Sequence, residues 1–163
     1  MCSEHHFFIM SSFVLVPVLF LIALFIFLWI LRFLFPEKKY GIETLTQNGE
    51  MVRSRSEGRL ANYFKRNNIN YEYEKIARTR SGEKISHPDF FLPNYQVFVE
   101  FWGLVDAEDH NTRNNYVRTM NYKMARYHQN NIKFISIYPR NLDNLDWIFR
   151  TKFRKVTGFE LPN

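Results

Sequence analysis

Cysteine occurs once among the 163 residues, as Cys2. No disulfide can form within the chain, and everything beyond the first residues lacks a thiol, which is compatible with a reducing compartment. Neither His87 nor His110 has a Cys or second His at metal-ligand spacing, which argues against a histidine-based metal site. Charge is missing altogether from Phe7 to Leu31, where only Ser11 and Ser12 are clearly polar. In lipid every backbone N–H and C=O must be satisfied within the segment, so such a run predicts a helix. Its uninterrupted part, Phe13 to Leu31, reaches about 28 Å, close to the hydrocarbon thickness of a bilayer. The run has no A-x-A-like site after it and no basic residue before it, features that a cleaved signal peptide requires. Lys and Arg are also absent from MCSEHH, whereas Arg32, Lys38 and Lys39 follow the run. The positive-inside rule then predicts a single-pass protein with its N-terminus outside and its C-terminal domain in the cytoplasm.

What is present lies almost wholly after that segment. Only Arg32 among the basic residues and Glu4 among the acidic ones precede Pro36, so the net charge of +6 belongs to the remainder. Such an excess suits a polyanionic partner, either nucleic acid or the anionic lipid of an inner leaflet. The remainder is long enough for one domain and too short for two. Residues 1–35 are expected to form the transmembrane anchor, with the span over residues 7–31. PEKKYGIETLTQNGEMV, residues 36–52, shows no sustained periodicity and reads as a linker, placing the domain at residues 53–163.

The patterning of that domain predicts an α/β arrangement. Ser54 followed by Glu57 forms a capping box, and Leu60, Ala61 and Phe64 recur at helical spacing as far as Arg66. YEYEKIA (residues 71–77) alternates as a half-buried strand; a second strand is expected around Ile85 to Leu92 and a third over Gln96 to Trp102. Tyr116, Met120, Lys123, Met124 and Tyr127 mark a helix between about Ala107 and Asn130. IKFISIY (residues 132–138) reads as an interior strand, and Leu142, Leu145, Ile148 and Phe149 mark a last helix. The order is αβββαβα around a small mixed sheet.

Three carboxylates stand out in this frame: Glu57, Asp89 in HPDFF and Glu100 in VFVEFW. A hairpin through LPNY would bring Asp89 and Glu100 to one face, with Glu57 added from the first helix. Oxygen ligands of that kind suit Mg²⁺ or Mn²⁺, and a metal-activated water could attack a phosphodiester. Each acid also has an ordinary role open to it. Glu57 fits the N3 place of the capping box, and Asp89 fits a turn after Pro88. Burial amid Phe90, Phe91 and Leu92, or inside VFVEFW, makes an unpartnered carboxylate costly and favours the site for Asp89 and Glu100. Arg53, Arg55, Arg59, Lys65, Arg66, Arg113, Arg118 and Arg126 could hold phosphates, or could face anionic lipid as a solvated surface. The aromatics Tyr71, Tyr73, Phe98 and Phe101 are expected in the core, not as a base-stacking platform.

The order RSRSEGRLANYFKRNNINYEYEK, PDFFLP, VEFWG and YVRTMNYKMARY, from Arg53 to Tyr138, resembles the PD-(D/E)xK or restriction-endonuclease-like nuclease superfamily, in particular small bacterial nuclease domains found alone or fused to helicases. Together with the anchor read from residues 7–31, the resemblance implies a membrane-anchored, Mg²⁺-dependent endonuclease acting on DNA, with RNA as the other substrate, at a bacterial inner membrane. It implies metal ligation by Asp89, Glu100 and the main-chain carbonyl of Phe101, with Glu57 as the acid of the first helix. One departure stands out: Trp102 occupies the place where the motif puts a lysine. Residues 100 and 102 share a strand face, so the missing cation must come from elsewhere. Lys123 is the expected replacement and Lys84 the second candidate; the competing role for Lys123 is an ordinary exposed helix lysine. The alternative function is a module that keeps the fold without catalysis and binds nucleic acid, anionic lipid or a protein.

Overall fold

The computed structural model describes residues 17–30 and 41–161. The chain divides into two units, Met1–Tyr40 and Gly41–Asn163. In the first, residues 17–30 form helix α1, whose residues are all exposed, Phe20, Phe25 and Trp29 at 67%, 73% and 65%. Among the described residues no helix is long and apolar enough to cross a membrane. A span needs about 20 residues, and residues 7–16 and 31 of the expected one lie outside the described residues.

The second unit is a mixed α/β domain. It begins earlier than the patterning predicted, because residues 41–52 of the expected linker belong to it. Strands β1 (Thr44–Leu45) and β2 (Met51–Val52) pair antiparallel. Gly49, at φ +82°, turns the chain between them, and Val52 is buried. Strands this short carry too few alternations to register as periodicity; the Asn48-Gly49 dipeptide was the legible signal.

Helix α2 (Arg55–Arg66) starts where the capping box places it, the Ser54 side chain accepting from the Glu57 N–H at 3.2 Å. Its buried stripe includes Leu60, Ala61 and Phe64. The expected strand over residues 71–77 is broken in two, β3 (Glu72–Tyr73) and β4 (Ala77–Arg78), because Glu74 between them takes a left-handed φ of +53°. The second expected strand likewise divides into β5 (Lys84–Ser86) and β6 (Phe90–Leu92). Pro88, which has no N–H to give a ladder, lies between them. β7 (Val97–Phe101), helix α3 (His110–Gln129) and β8 (Phe134–Ile137) follow. A 3₁₀ turn (Pro139–Asn144) leads into helix α4 (Leu145–Thr157), which ends at Gly158 in the left-handed conformation.

The central sheet is mixed, in the order β3-β6-β7-β8, with β7 and β8 parallel and the other pairs antiparallel. β4 and β5 form a separate hairpin. Alternation gives the sheet two unlike faces. Phe90, Leu92, Val97, Val99, Ile135 and Ile137 pack with Leu60 and Phe64 of α2 and Phe149 and Phe153 of α4 in the apolar core. Phe64 anchors it, with edge-to-face contacts at 5.3 Å to both Phe90 and Phe149. The opposite face carries Phe91, Phe98, Glu100 and Phe134, and α3 meets it through Tyr127, whose ring lies 5.0 Å from that of Phe134.

Candidate active site

The site is built on the face that meets α3. The β6–β7 register pairs Phe90 with Val99, and continuing it by one residue sets Asp89 opposite Glu100. Both are buried, at 8% and 2% exposure. Side by side away from water, two carboxylates resist joint ionisation. Burial, and then the charge of Glu100, push Asp89 from its ordinary 3.8 up to about 7, against the opposing pull of the Phe101 N–H. That N–H donates to Asp89 Oδ2 at 2.6 Å.

Glu100 is held by α3. The Lys123 ammonium lies 2.9 Å from Oε1 and 3.1 Å from Oε2, and the Tyr127 hydroxyl donates to Oε1 at 2.5 Å. Because the Tyr127 proton is committed to the carboxylate, the Ser86 hydroxyl of β5 must donate to Tyr127 in the contact between them. Burial and then Glu100 push the Tyr127 phenol well above its ordinary value, so it stays protonated as the donor. Charge-assisted bonds of this kind are roughly twice as strong as neutral ones.

The lysine enters where the strand lacks one. Trp102 follows Glu100 on the same face, buried at 2% exposure, and the Lys123 Nζ sits over its ring, 5.3 Å from the centroid. Tyr116, two turns before Lys123, meets the Trp102 edge with centroids 6.4 Å apart. Its hydroxyl approaches the Phe101 carbonyl at 3.5 Å, and burial followed by the Asp89 and Glu100 charges pushes it up to about 12. Lys84, by contrast, is exposed on β5 opposite Arg78 and makes none of these contacts.

Glu57 is drawn to the helix cap. It accepts from the Ser54 hydroxyl at 2.8 Å, the Tyr73 hydroxyl at 2.6 Å and the Arg53 N–H at 3.2 Å. With three donors on its two oxygens it makes no hydrogen bond to Asp89 or Glu100, and its influence on Asp89 is weaker than that of Glu100. Arg53 links the two regions: its guanidinium is 3.5 Å from Asp89 Oδ1 and 2.7 Å from Glu74. Several of the expected phosphate-holding cations are occupied within the fold. Arg59 donates to the Leu142 carbonyl at 2.8 Å, Lys65 to that of Gln47 at 2.5 Å, and Arg126 pairs with Glu83 at 3.3 Å. Arg55, Arg66 and Arg118 are exposed.

Among the described residues no group of three His, Cys, Asp or Glu side chains is disposed to hold a metal ion. The described residues therefore offer no closed cage. They do offer a buried pair of carboxylates, with one ammonium 2.9 Å from Glu100 and the Phe101 N–H on Asp89. That donor set fits Mg²⁺, which is commonly held by one or two carboxylates and keeps several waters.

The patterning missed the parts played by Tyr116, Tyr127 and Ser86. The signal was present in α3, whose inward stripe of residues 116, 120, 123 and 127 mixes two tyrosines and a lysine with one methionine, an unusual face to bury unless it meets polar groups. Comparison of the chain with protein-family models, with curated proteins and with solved structures finds no match.

Proposed function

We propose that this protein is a membrane-anchored, divalent-metal-dependent endonuclease of the restriction-endonuclease-like kind, hydrolysing phosphodiester bonds in DNA or RNA. The observation that carries the reading is the Lys123 ammonium, delivered by a helix to within 2.9 Å of Glu100 and above Trp102, the residue standing at the usual lysine position. Asp89 and Glu100 would hold the cation, with the Phe101 carbonyl as a third oxygen. A divalent cation there supplies charge neutralisation at the phosphate and a more acidic water. The protein's own residues supply orientation: the Phe101 N–H aims Asp89, Tyr127 and Ser86 fix Glu100, and Lys123 sets a positive charge against the attacking water and the phosphate. Glu57 is assigned to the Ser54 cap and acts on the site through Arg53.

The test is cleavage by the full chain in detergent, with Mg²⁺ or Mn²⁺, of plasmid, single-stranded DNA and RNA. Asp89→Asn, Glu100→Gln and Lys123→Met should each lower the rate by about 100-fold or more, the scale of a lost electrostatic contact in a reacting site. Cleavage that needs no metal, or that survives all three changes, refutes the reading. A non-catalytic module is favoured by one observation, that both Glu100 oxygens are already engaged by Lys123 and Tyr127; it predicts no cleavage of any substrate.

The apolar run over residues 7–31 supports a single-pass anchor with the C-terminal domain on the cytoplasmic side of a bacterial inner membrane. Resistance of the chain to alkaline carbonate extraction, with protease access to the domain only from the cytoplasmic side, is the expected result. Release by carbonate would refute the anchor.

A further inference from the structure

A second feature of the same sheet face lies outside the carboxylate pair. Phe98 precedes Glu100 by two residues on β7, about 7 Å along the strand. It was expected in the core, yet it is only half-buried and takes no part in the apolar cluster. It and its cross-strand partner Phe91, ring centroids 4.7 Å apart, floor a groove of about 430 Å³. Lys75, Arg78 and Lys133 line the groove, and among the described residues no carboxylate does. The Lys75 ammonium already rests on the Phe91 ring, 4.0 Å from its centroid. Tyr127, fully buried with its ring on Phe134 and its hydroxyl on Glu100, does not line the groove.

The volume falls within the range of small-molecule clefts, about 300–1,000 Å³. Its chemistry is a π-surface ringed by cations, of which Lys75 is paired with Glu72 at 3.0 Å and Arg78 donates to the Gly82 carbonyl at 2.9 Å. An anionic lipid headgroup would use the cations but leave the aromatic floor idle, and a duplex cannot present a base face to it. A nucleotide with an unstacked base uses both.

We propose that this groove is a subsite for an unpaired nucleotide of single-stranded nucleic acid, its base against Phe98 and its flanking phosphates against Lys133 and Arg78. The subsite rests on the nucleic-acid part of the function above, not on cleavage. The substrate preference is therefore for single strands or frayed ends over intact duplex.

Binding is measured with the full chain in a zwitterionic detergent and EDTA, where no metal-dependent cleavage occurs. The probes are fluorescein-labelled oligothymidylate, a duplex of equal length and inorganic polyphosphate. Oligothymidylate should bind at least about tenfold more tightly than duplex, in line with stacking as a main contribution. Phe98→Leu should weaken oligothymidylate binding about fivefold or more while leaving polyphosphate binding and the melting temperature unchanged. Lys133→Glu, at an exposed position, should weaken both ligands, and Lys133→Ala should lower the salt slope for the oligonucleotide by about 0.7. Equal affinity for duplex, no effect of either substitution, or an equal loss of polyphosphate binding in Phe98→Leu would overturn the proposal. Failure of the nuclease reading is separable, since it would leave these affinities in place.

Discussion

Replacing Asp89 with asparagine is expected to stabilise the metal-free protein at pH 8 and to leave its stability at pH 4 nearly unchanged. The carboxyl of Asp89 titrates near 7 in the folded chain against an ordinary 3.8, chiefly because it is buried and faces Glu100. Between those values the folded state keeps a proton that the unfolded state has released. This group therefore subtracts from stability as pH rises from about 4 to about 7, and subtracts in full above 7. At roughly 1.36 kcal/mol per pKa unit the full penalty is about 4 kcal/mol, an upper value because water entering the site relieves part of it. Asparagine can still accept from the Phe101 N–H, so the bond now made at 2.6 Å has a partner. With about 3–5 °C per kcal/mol for a domain of this size, a recovery of about 2–4 kcal/mol raises the melting temperature by about 6–20 °C. Thermal denaturation of both proteins in EDTA across pH 4–8 is the assay, repeated with Mg²⁺. The cation should raise the melting point of the parent chain and not of Asp89→Asn, because only a ligand that binds the folded state stabilises it. A variant that is less stable than its parent at pH 8 would refute the reasoning, since it would mean that Arg53 and the Phe101 N–H more than offset the burial of the charge.

Lys123→Met removes the ammonium from a carboxylate that is 2% exposed, and denaturant titration at pH 8 should show a loss of about 3–5 kcal/mol, the cost of leaving a buried charge unpaired. The double variant with Glu100→Gln should recover most of it. Tyr127→Phe takes one donor from Glu100 and strands the Ser86 hydroxyl; a loss of about 1–3 kcal/mol is expected by the same measurement. Ser54→Ala removes the N-cap of α2 and one donor to Glu57, which should cost about 1–2 kcal/mol. Phe64→Ala, at the centre of the core, should cost about 3–5 kcal/mol without altering the pH profile.

Helix α2 was legible to the residue at its start because a cap is local: Ser54 and Glu57 are three apart and satisfy donors of the same turn. β7, α3 and β8 were legible in kind for a similar reason, their periodicities running long enough to exceed chance. The strands at residues 71–77 and 85–92 were each read as continuous, and each is broken, because a left-handed Glu74 and a proline between paired segments are decided by the partners on either side. The hairpin before Arg53 was lost to its own brevity.

For the site, the pattern of residues identified Asp89 and Glu100 as buried acids needing partners, and a helix lysine as the cation to look for. It could not say that Glu57 would also accept from Tyr73, nor that Ser86 and Tyr127 would hold Glu100. The Tyr73–Glu57, Tyr127–Glu100 and Ser86–Tyr127 contacts join residues 16 to 41 positions apart. The chain's chemistry is written residue by residue: an uncharged run at one end, a basic excess in the rest, acids set among aromatics. Which acid meets which donor depends on how the two faces of one sheet are shared among three helices. That is a matter of packing, since partners distant in sequence become neighbours only once the core has closed.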